Sequence, residues 1–507
     1  MQLAKALSVS LYGMAGRLIE VEADISSNLP AFVLVGLPDA SVNEAASRVR
    51  ASTTNSNLAL PGRRITVNLS PASVPKQGSG FDLAIAMATL AAANQVDKVK
   101  VGETIFLGEL ALDGSIKPIS GILAALIASR EFDIQRVVVP LANLAEAKLV
   151  SGLNVSGYDH LTQVAHAFGN RVQPKPELST HKPQLIAPKS TVCFSEVVGQ
   201  PEAIEALTVA AAGGHHIFMQ GPPGAGKSML ASRFATILPE LTETEAIEVA
   251  AIRSVAKLEV DSLSVQPPFQ APHHTASQVS MVGGGGSQPR SGLISLAHRG
   301  VLFLDEAPEF QSSVLEAMRQ PLESGEIVIS RASGHARFPA SFQLLLAANP
   351  CPCGFAIGAG KQCTCTASAR LRYQNRISGP LADRIDLRLQ LNAVNASLVR
   401  QTNAGATQTS QELQAKVSVA RAAASERLHG TPWSKNAQVP GSFLRRELRL
   451  GKAVTAQLDS ALDRNLISMR GYDRCLRVAW SVADLAGLSS PRSEELATAM
   501  YLRGSDL

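Results

Sequence analysis

The eight residues Gly221–Ser228, GPPGAGKS, constrain the fold of this 507-residue chain more than any other stretch. They match G-x-x-x-x-G-K-[ST], follow an apolar run, HIFMQ, and open a helix-forming run, MLASRFATIL. Strand, glycine-rich turn and helix, in that order, are the setting in which this pattern holds phosphate. Gly221, Pro222, Pro223, Gly224, Ala225 and Gly226 form the turn whose backbone N–H groups face the phosphates. Lys227 reaches the terminal phosphates, and the Ser228 hydroxyl takes a Mg2+ position. Such a turn belongs to a parallel sheet with flanking helices, so an α/β core is expected.

Polar residues stand where later apolar runs begin or end. GVLFLDEAPEF reads as a buried strand ending in Asp305-Glu306. An acid there is a second Mg2+ anchor, and the next carboxylate can polarise an attacking water. FQLLLAANP ends in Asn349, a residue suited to hydrogen-bond that water and report on the γ-phosphate. GPLADRIDLRLQL offers Arg384 before another strand, and SMRGYDRCLRVAW places Arg470, Arg474 and Arg477 near a helix start. Arg384 and one of this trio are candidates to neutralise charge on a transferring phosphoryl group. A surface salt bridge is the plainer reading of any one of them.

At ~150 residues per domain the chain has room for about three. Apolar residues make up 45% and aromatics only 4%, so aliphatic packing must fill the cores. No apolar run reaches the ~18 residues of a membrane span. MQLAKALSVSLYG lacks the apolar core and cleavage site of a secretory signal, so a cytoplasmic protein without a membrane is expected. The net charge of +5 is localised: residues 1–395 carry 32 Lys+Arg against 32 Asp+Glu, and residues 396–507 carry 15 against 10. That excess suits a nucleic-acid surface or a solvated helical face.

Segment 169–190 has four prolines and no apolar periodicity, and reads as a linker. It separates residues 1–168, where RLIEVEADIS and RRITVNLSP look like strands and FDLAIAMATLAAA and GILAALIASREF like helices, from a core at 191–395. From 396 to 507 the pattern turns helical, in SQELQAKVSVARAAASERL, SFLRRELRLGKAVTAQLDSALDR, GYDRCLRVAWSVADLAG and SEELATAMYLR. Four of six cysteines, Cys351, Cys353, Cys363 and Cys365, fall in one loop after the Asn349 strand. Two thiol pairs flanking nine residues can close tetrahedrally around Zn2+, as a structural site. A disulfide does not suit the expected compartment, and Cys193 and Cys475 stand alone.

P-loop, Asp-Glu strand, Asn strand, Arg and helical lid, in this order, resemble an AAA+ ATPase. Residues 268–306, PFQAPHHTASQVSMVGGGGSQPRSGLISLAHRGVLFLDE, resemble its magnesium-chelatase-like branch, which inserts a hairpin before the Asp-Glu strand. APHHTAS, LFLDE and NPCPCG are similar to the ComM family, also called YifB, and the resemblance runs from residue 1 to about 505. It implies an ATP hydrolase assembled as a hexameric ring, with Lys227 and Ser228 on nucleotide and Mg2+. By the same resemblance Asp305 is the Mg2+ ligand, Glu306 the base, Asn349 the sensor and Arg470 the lid sensor, while Arg384 is a finger inserted from a neighbouring subunit. The implied load is single-stranded or branched DNA, with a helicase promoting branch migration when incoming DNA recombines. The insert at 277–290 with Arg290, and Arg331 in VISRASGHARF, are the candidates to face phosphates in a pore. The alternative load is a protein client, as for a chelatase-type motor.

Residues from about 15 to 150 resemble the proteolytic domain of Lon, through VPKQGSGFDLAIAMA and IFLGELALDGSIKPISG. There the nucleophilic serine stands four residues after the motif Lys, and a lysine 17 residues beyond the Gly of Gly-Glu. Here those positions are Gly80, counted from Lys76, and Ala125, counted from Gly108. Ser79 is one residue off, and a serine needs an adjacent base. The domain is therefore expected to be α+β, inactive as a protease, and used for interaction or ring assembly.

Overall fold

The structure, a computed structural model, describes residues 2–36, 39–76, 78–176, 192–260, 262–285, 289–331, 334–356, 362–392 and 408–504. Most of the expected linker, the expected boundary at 395/396, residues 286–288 of the insert and 357–361 of the cysteine loop lie outside the described residues.

Five short strands form a parallel sheet in the order Phe269–Gln270, Val301–Leu304, Gln343–Ala348, Ile217–Gln220, Leu387–Gln390. Successive Cβ atoms of a strand point to opposite faces. Ile217, Met219, Phe303, Leu345 and Leu387 accordingly enter one core, and Leu302, Leu304, Leu344 and Leu346 another. Burial on both faces is why VLFL and QLLLAA are apolar throughout instead of alternating.

The first of these cores continues into the C-terminal helices, through Val417 of Ser410–Arg427, Leu458 of Lys452–Asp463, Val478 of Met469–Leu485 and Leu496 of Ser493–Arg503. SFLRRELRLGKAVTAQLDSALDR, expected as one helix, is two, Gly441–Arg446 and Lys452–Asp463. Gly451 between them is an extended N-cap with φ −65° and ψ 146°, at the residue least favourable inside a helix.

A buried polar network fastens helix Met469–Leu485 to the sheet. His215 lies 3.0 Å from Asp386 through Nδ1 and 2.8 Å from Ser481 Oγ through Nε2. Asn436 donates to Ser481 Oγ at 3.0 Å and to Asp484 at 2.8 Å. Arg427 donates to both Asp484 oxygens, at 2.6 and 2.8 Å, and its guanidinium lies 4.3 Å from the centre of the Trp480 ring. Burial works against the charge on Asp386, but the His215 hydrogen bond and nearby cations pull its carboxyl down to about 2.

The N-terminal unit is a seven-stranded mixed sheet, in the order Ala31–Val35, Arg64–Ser70, Ala15–Ser26, Gln2–Tyr12, Thr104–Phe106, Arg136–Pro140, Asn154–Tyr158. Gln2–Tyr12, read from sequence only as a short apolar stretch, is an 11-residue strand paired along its length with Ala15–Ser26. Helix Asp82–Ala92 is buried at every position, as a helix apolar on all sides must be. Helix Ile122–Ser129 docks on Glu243–Val255 of the other unit, where Ile122, Leu123, Ala125 and Leu126 share a core with Ala250 and Ala251. The Gly121 N–H donates to Ser254 O at 3.2 Å and to Ser254 Oγ at 3.1 Å across the same contact.

Replacing Arg427 by Met strands the Asp484 carboxylate, whose side chain is 1% exposed. Breaking such a pair costs about 3–5 kcal/mol. Amide hydrogen exchange in Met469–Leu485 is expected to accelerate by roughly a hundredfold or more. Unchanged protection would show that the network does not hold the helix down.

Candidate functional site

The carboxyl ends of the five parallel strands share one edge, where open α/β sheets receive ligands. The P-loop leaves that edge after Gln220, Asp305 follows Leu304, and Asn349 follows Ala348. Helix Lys227–Phe234 begins at the loop's lysine, directly after Gly226 in the left-handed region at φ +85°. Lys227 Nζ donates to Gly221 O at 2.8 Å, Pro222 O at 3.0 Å and Asn349 Oδ1 at 3.0 Å. Burial lowers its pKa, against the pull of Asp305 and Glu306. Ser228 Oγ donates to Asp305 Oδ2 at 2.5 Å, and the Glu306 N–H to Asp305 Oδ1 at 2.9 Å. A buried amine, a hydroxyl, two carboxylates and an amide thus converge beside a turn rich in backbone N–H groups. Such a set can hold a polyphosphate and a divalent cation together.

Two residues to which the sequence reading assigned no role join this edge. His274 Nδ1 lies 3.4 Å from Glu306 Oε2 and stacks on His273, with ring centres 4.1 Å apart. Glu306 itself has φ +51°, a conformation that strains a residue other than glycine. The motif APHHTAS was visible in the sequence, but its partner lies 32 residues away on another strand end. Gln200 donates to Ala225 O at 3.4 Å and Asn392 O at 2.9 Å, bracing the loop from behind. No local pattern marks it.

The arginines stand elsewhere. Arg384 precedes Leu387–Gln390 and so lies at the amino-terminal edge of the sheet, ion-paired with Glu323 and hydrogen-bonded to Pro380 O at 2.5 Å. Burial lowers its pKa, helped by repulsion from Arg319 and Arg470. Arg470 joins it there, 3.3 Å from Asp383, with 78% of its side chain exposed. Arg474 is 9% exposed and 3.7 Å from Asp386, and Arg477 donates to Val439 O at 2.7 Å, so both are structural. Neither Arg384 nor Arg470 has a partner in Gly221–Ser228.

The four clustered thiols come together. Cys351, Cys353, Cys363 and Cys365 offer sulfurs that all lie within 4.8 Å of one another, none in a disulfide. Cys351 Sγ is 3.3 Å from Cys353 Sγ and 3.7 Å from Cys363 Sγ, and Cys353 to Cys363 is 3.7 Å. Tetrahedral Zn–S bonds of ~2.3 Å place sulfurs ~3.8 Å apart, so the set fits zinc. The Phe355 N–H helps bring the Cys353 thiol down to about 6, while their sulfur neighbours push Cys363 and Cys365 up, the latter to about 11, as thiols that share one site must. Gly354, at φ +82°, lets this loop touch the P-loop: a Cβ there would meet Pro223 at 2.6 Å.

In the N-terminal unit a cleft of about 220 Å³ holds Ser79, Gly80, Glu109 and Ala125. Ser79 Oγ donates to Glu109. A Cβ at Gly80 would meet Ile119 at 3.5 Å, an ordinary contact, so the serine is missing by sequence and not by space. The sequence reading finds no lysine for Ser79, yet Lys257, just past helix Glu243–Val255, lines this cleft from the other unit. Lys76 is a buried clamp that donates to Gly36 O at 2.9 Å and to Pro71 O.

Among the described residues no helix is long and apolar enough to cross a membrane. Family profiles match in three blocks: subunit ChlI of Mg-chelatase at 21–143, magnesium chelatase subunit ChlI at 193–399 and its C-terminal part at 407–503. An uncharacterised protein of Mycobacterium tuberculosis is 45% identical over 99% of both chains. Competence protein ComM of Haemophilus influenzae is 39% identical over 99% of this chain and 98% of its own. Lon protease 2 of Bacillus subtilis is 29% identical over 31% of this chain and 29% of its own. With its parallel α/β core, its helical lid and full-length similarity to ComM, the chain belongs to the ComM/YifB family of magnesium-chelatase-like AAA+ ATPases.

Proposed function

We propose that this ATPase works as a hexameric ring that couples ATP hydrolysis to movement on DNA, as a helicase promoting branch migration during recombination of incoming DNA. The observation that carries the ring is the separation of the phosphate chemistry between two edges of one sheet. Lys227, Ser228, Asp305, Glu306 and Asn349 gather at the carboxyl edge, Arg384 and Arg470 at the amino edge. A four-residue strand spans about 13 Å, so these arginines serve a neighbour's phosphates, at a subunit junction.

At that junction the N–H groups of Gly224 and Gly226 and the Lys227 amine hold the phosphates of ATP, Lys227 exchanging the Gly221 and Pro222 carbonyls for phosphate oxygens. Ser228 and Asp305 would hold Mg2+, which would supply charge neutralisation on the phosphates. Glu306 accepts a proton from the attacking water, Asn349 orients that water, and His274 holds the Glu306 carboxylate until the site is filled. Arg384 and Arg470 from the next subunit meet the charge of the transferring phosphoryl group.

Two arginines favour DNA as the load. The Arg331 guanidinium donates to Gly285 O at 3.2 Å, joining the paired strands Glu326–Arg331 and Gly334–Pro339 to the paired strands Gly283–Gly284 and Arg290–Ser291, on which Arg290 is exposed. Exposed cations on adjoining strand pairs can contact backbone phosphates, and a relative bears the name of a competence protein. A protein client is the second reading, favoured by the retained cleft around Ser79 and Lys257. With no serine at position 80 and Ser79 bonded to Glu109, that cleft serves binding and not proteolysis. The four cysteines hold a structural zinc that fixes the loop between Asn349 and Pro223.

Arg384→Ala is expected to keep ATP binding and lose about a thousandfold or more in turnover; near-normal hydrolysis would remove Arg384 from the site. Steady-state hydrolysis should rise several-fold, in a salt-sensitive way, with single-stranded or four-way-junction DNA, and Lys227→Ala should abolish it. Turnover indifferent to every DNA shifts the load to a protein client. Metal analysis after chelator-free purification should give one zinc per chain, lost in Cys363→Ser with a lower Tm. Less than half an equivalent in the wild type rules the zinc out.

A further inference from the structure

At the amino-terminal edge of the five-stranded sheet, away from the P-loop, lies a cavity of about 700 Å³ between sheet and lid. His216, Gly300 and Gln343 form its sheet wall, and Arg421 and Lys435 enter it from the lid. Their charges are not matched. Arg299, also on the wall, is committed to Glu245 at 3.3 Å and to Glu248 at 3.0 Å. Glu323 is paired with Arg384, and Glu240 lies out at the exposed rim. Arg421 Nε donates to Ala211 O at 2.9 Å and Nη2 to Gln343 Oε1 at 3.1 Å, both neutral acceptors. Lys435 passes its stem over Gly214, where a Cβ would stand 2.9 Å from Lys435 Cδ. Its Nζ has no partner among the described residues.

Arg421 and Lys435 are half-buried, and the carboxylate that acts on both, Glu245, is bonded to Arg299, so an anion in the space between them would supply the partner that neither has. Burial pushes Lys435 down to about 7, reinforced by Arg421 and Arg299 and opposed only by Glu245. Burial likewise brings Arg421 down to about 10. Lys435 with three free donors and Arg421 with an unspent Nη1 match the acceptor-rich, multiply charged geometry of phosphate. The volume admits more than one phosphoryl group.

We propose that this cavity is a second anion site, which binds a phosphate-bearing small molecule of at least two negative charges between Arg421 and Lys435 of the lid and Gln343 of the sheet. The proposal stands on these residues alone and does not depend on what the P-loop hydrolyses.

Inorganic pyrophosphate in metal-free buffer is the probe, titrated calorimetrically into full-length Lys227→Ala protein so that the P-loop contributes least. Saturable binding is expected, weakened about tenfold or more by Lys435→Met and kept within a few-fold by Lys435→Arg. Because the empty pocket holds Lys435 near neutrality and a bound anion raises it, binding at pH 8 should take up protons, read from buffers of different ionisation enthalpy. Without pyrophosphate, Lys435→Met should melt no lower than its parent, since it removes an amine that has no hydrogen-bond partner among the described residues. Equal affinity in Lys435→Met and its parent overturns the proposal. So does binding seen only when Lys227 is intact, which assigns the anion to the P-loop. Pyrophosphate affinity that vanishes in assembled rings also overturns it, in favour of a neighbour's carboxylate in the cavity.

Discussion

The strand Ile217–Gln220 is the part on which the rest of this molecule depends. All four residues are paired on both sides, with Gln343–Ala348 and with Leu387–Gln390. At its carboxyl end the Gly221 N–H donates to Ala348 O at 3.2 Å, and Gln220 O accepts from Leu391 at 2.7 Å. The P-loop therefore starts from a clamped residue. At the other end desolvation lowers the pKa of His216 to about 4, which keeps the ring neutral and able to accept from the Leu344 N–H at 3.0 Å. His216 O takes the N–H groups of Asp386 and Leu387 at 3.1 and 3.2 Å. Both ends of a strand this short are thus held by its two neighbours, and anything that shifts one neighbour shifts the phosphate loop.

The lid and the cysteine loop act on this strand from different sides. Lid and sheet share one apolar core, so the helices cannot swing as a free body without opening it. The cysteine loop touches the opposite end: Cys351 is fully buried two residues past Asn349, and Gly354 lies against Pro223. A loop with so few apolar residues has little core of its own, and a zinc ion held by the four thiols would supply rigidity that packing cannot.

What was legible in the sequence is what is local. The P-loop, the Asp305-Glu306 strand end and the cysteine pairs each carry their meaning within a few residues, as do the two N-terminal strands and the two Ala- and Leu-rich helices. Features made by distance were not legible. Gln2–Tyr12 becomes a strand because Ala15–Ser26 pairs with it, while its own residues read only as mildly apolar. His274 meets Glu306, and Lys257 enters a cleft of the other unit, through tertiary placement alone. Arg470, Arg474 and Arg477 look interchangeable on one helix, and only their exposure and partners separate them.

The six residues Gln343–Ala348, with Asn349 next in line, connect features that look unrelated. Gln343 accepts from Arg421 at one end, while its amide donates to Ala210 O at 3.0 Å and His215 O at 3.2 Å. Six residues later Asn349 accepts from Lys227. The strand between them is buried at every position and paired on both sides, so it moves as a rod or not at all. A lid helix that repositions Arg421 acts on the same rod that presents Asn349 to the phosphate loop. If the chain works as the proposed ring, that rod would give lid position and nucleotide state a common mechanical element. The coupling needs no flexible pathway, because a close-packed sheet has discrete arrangements and few intermediate ones.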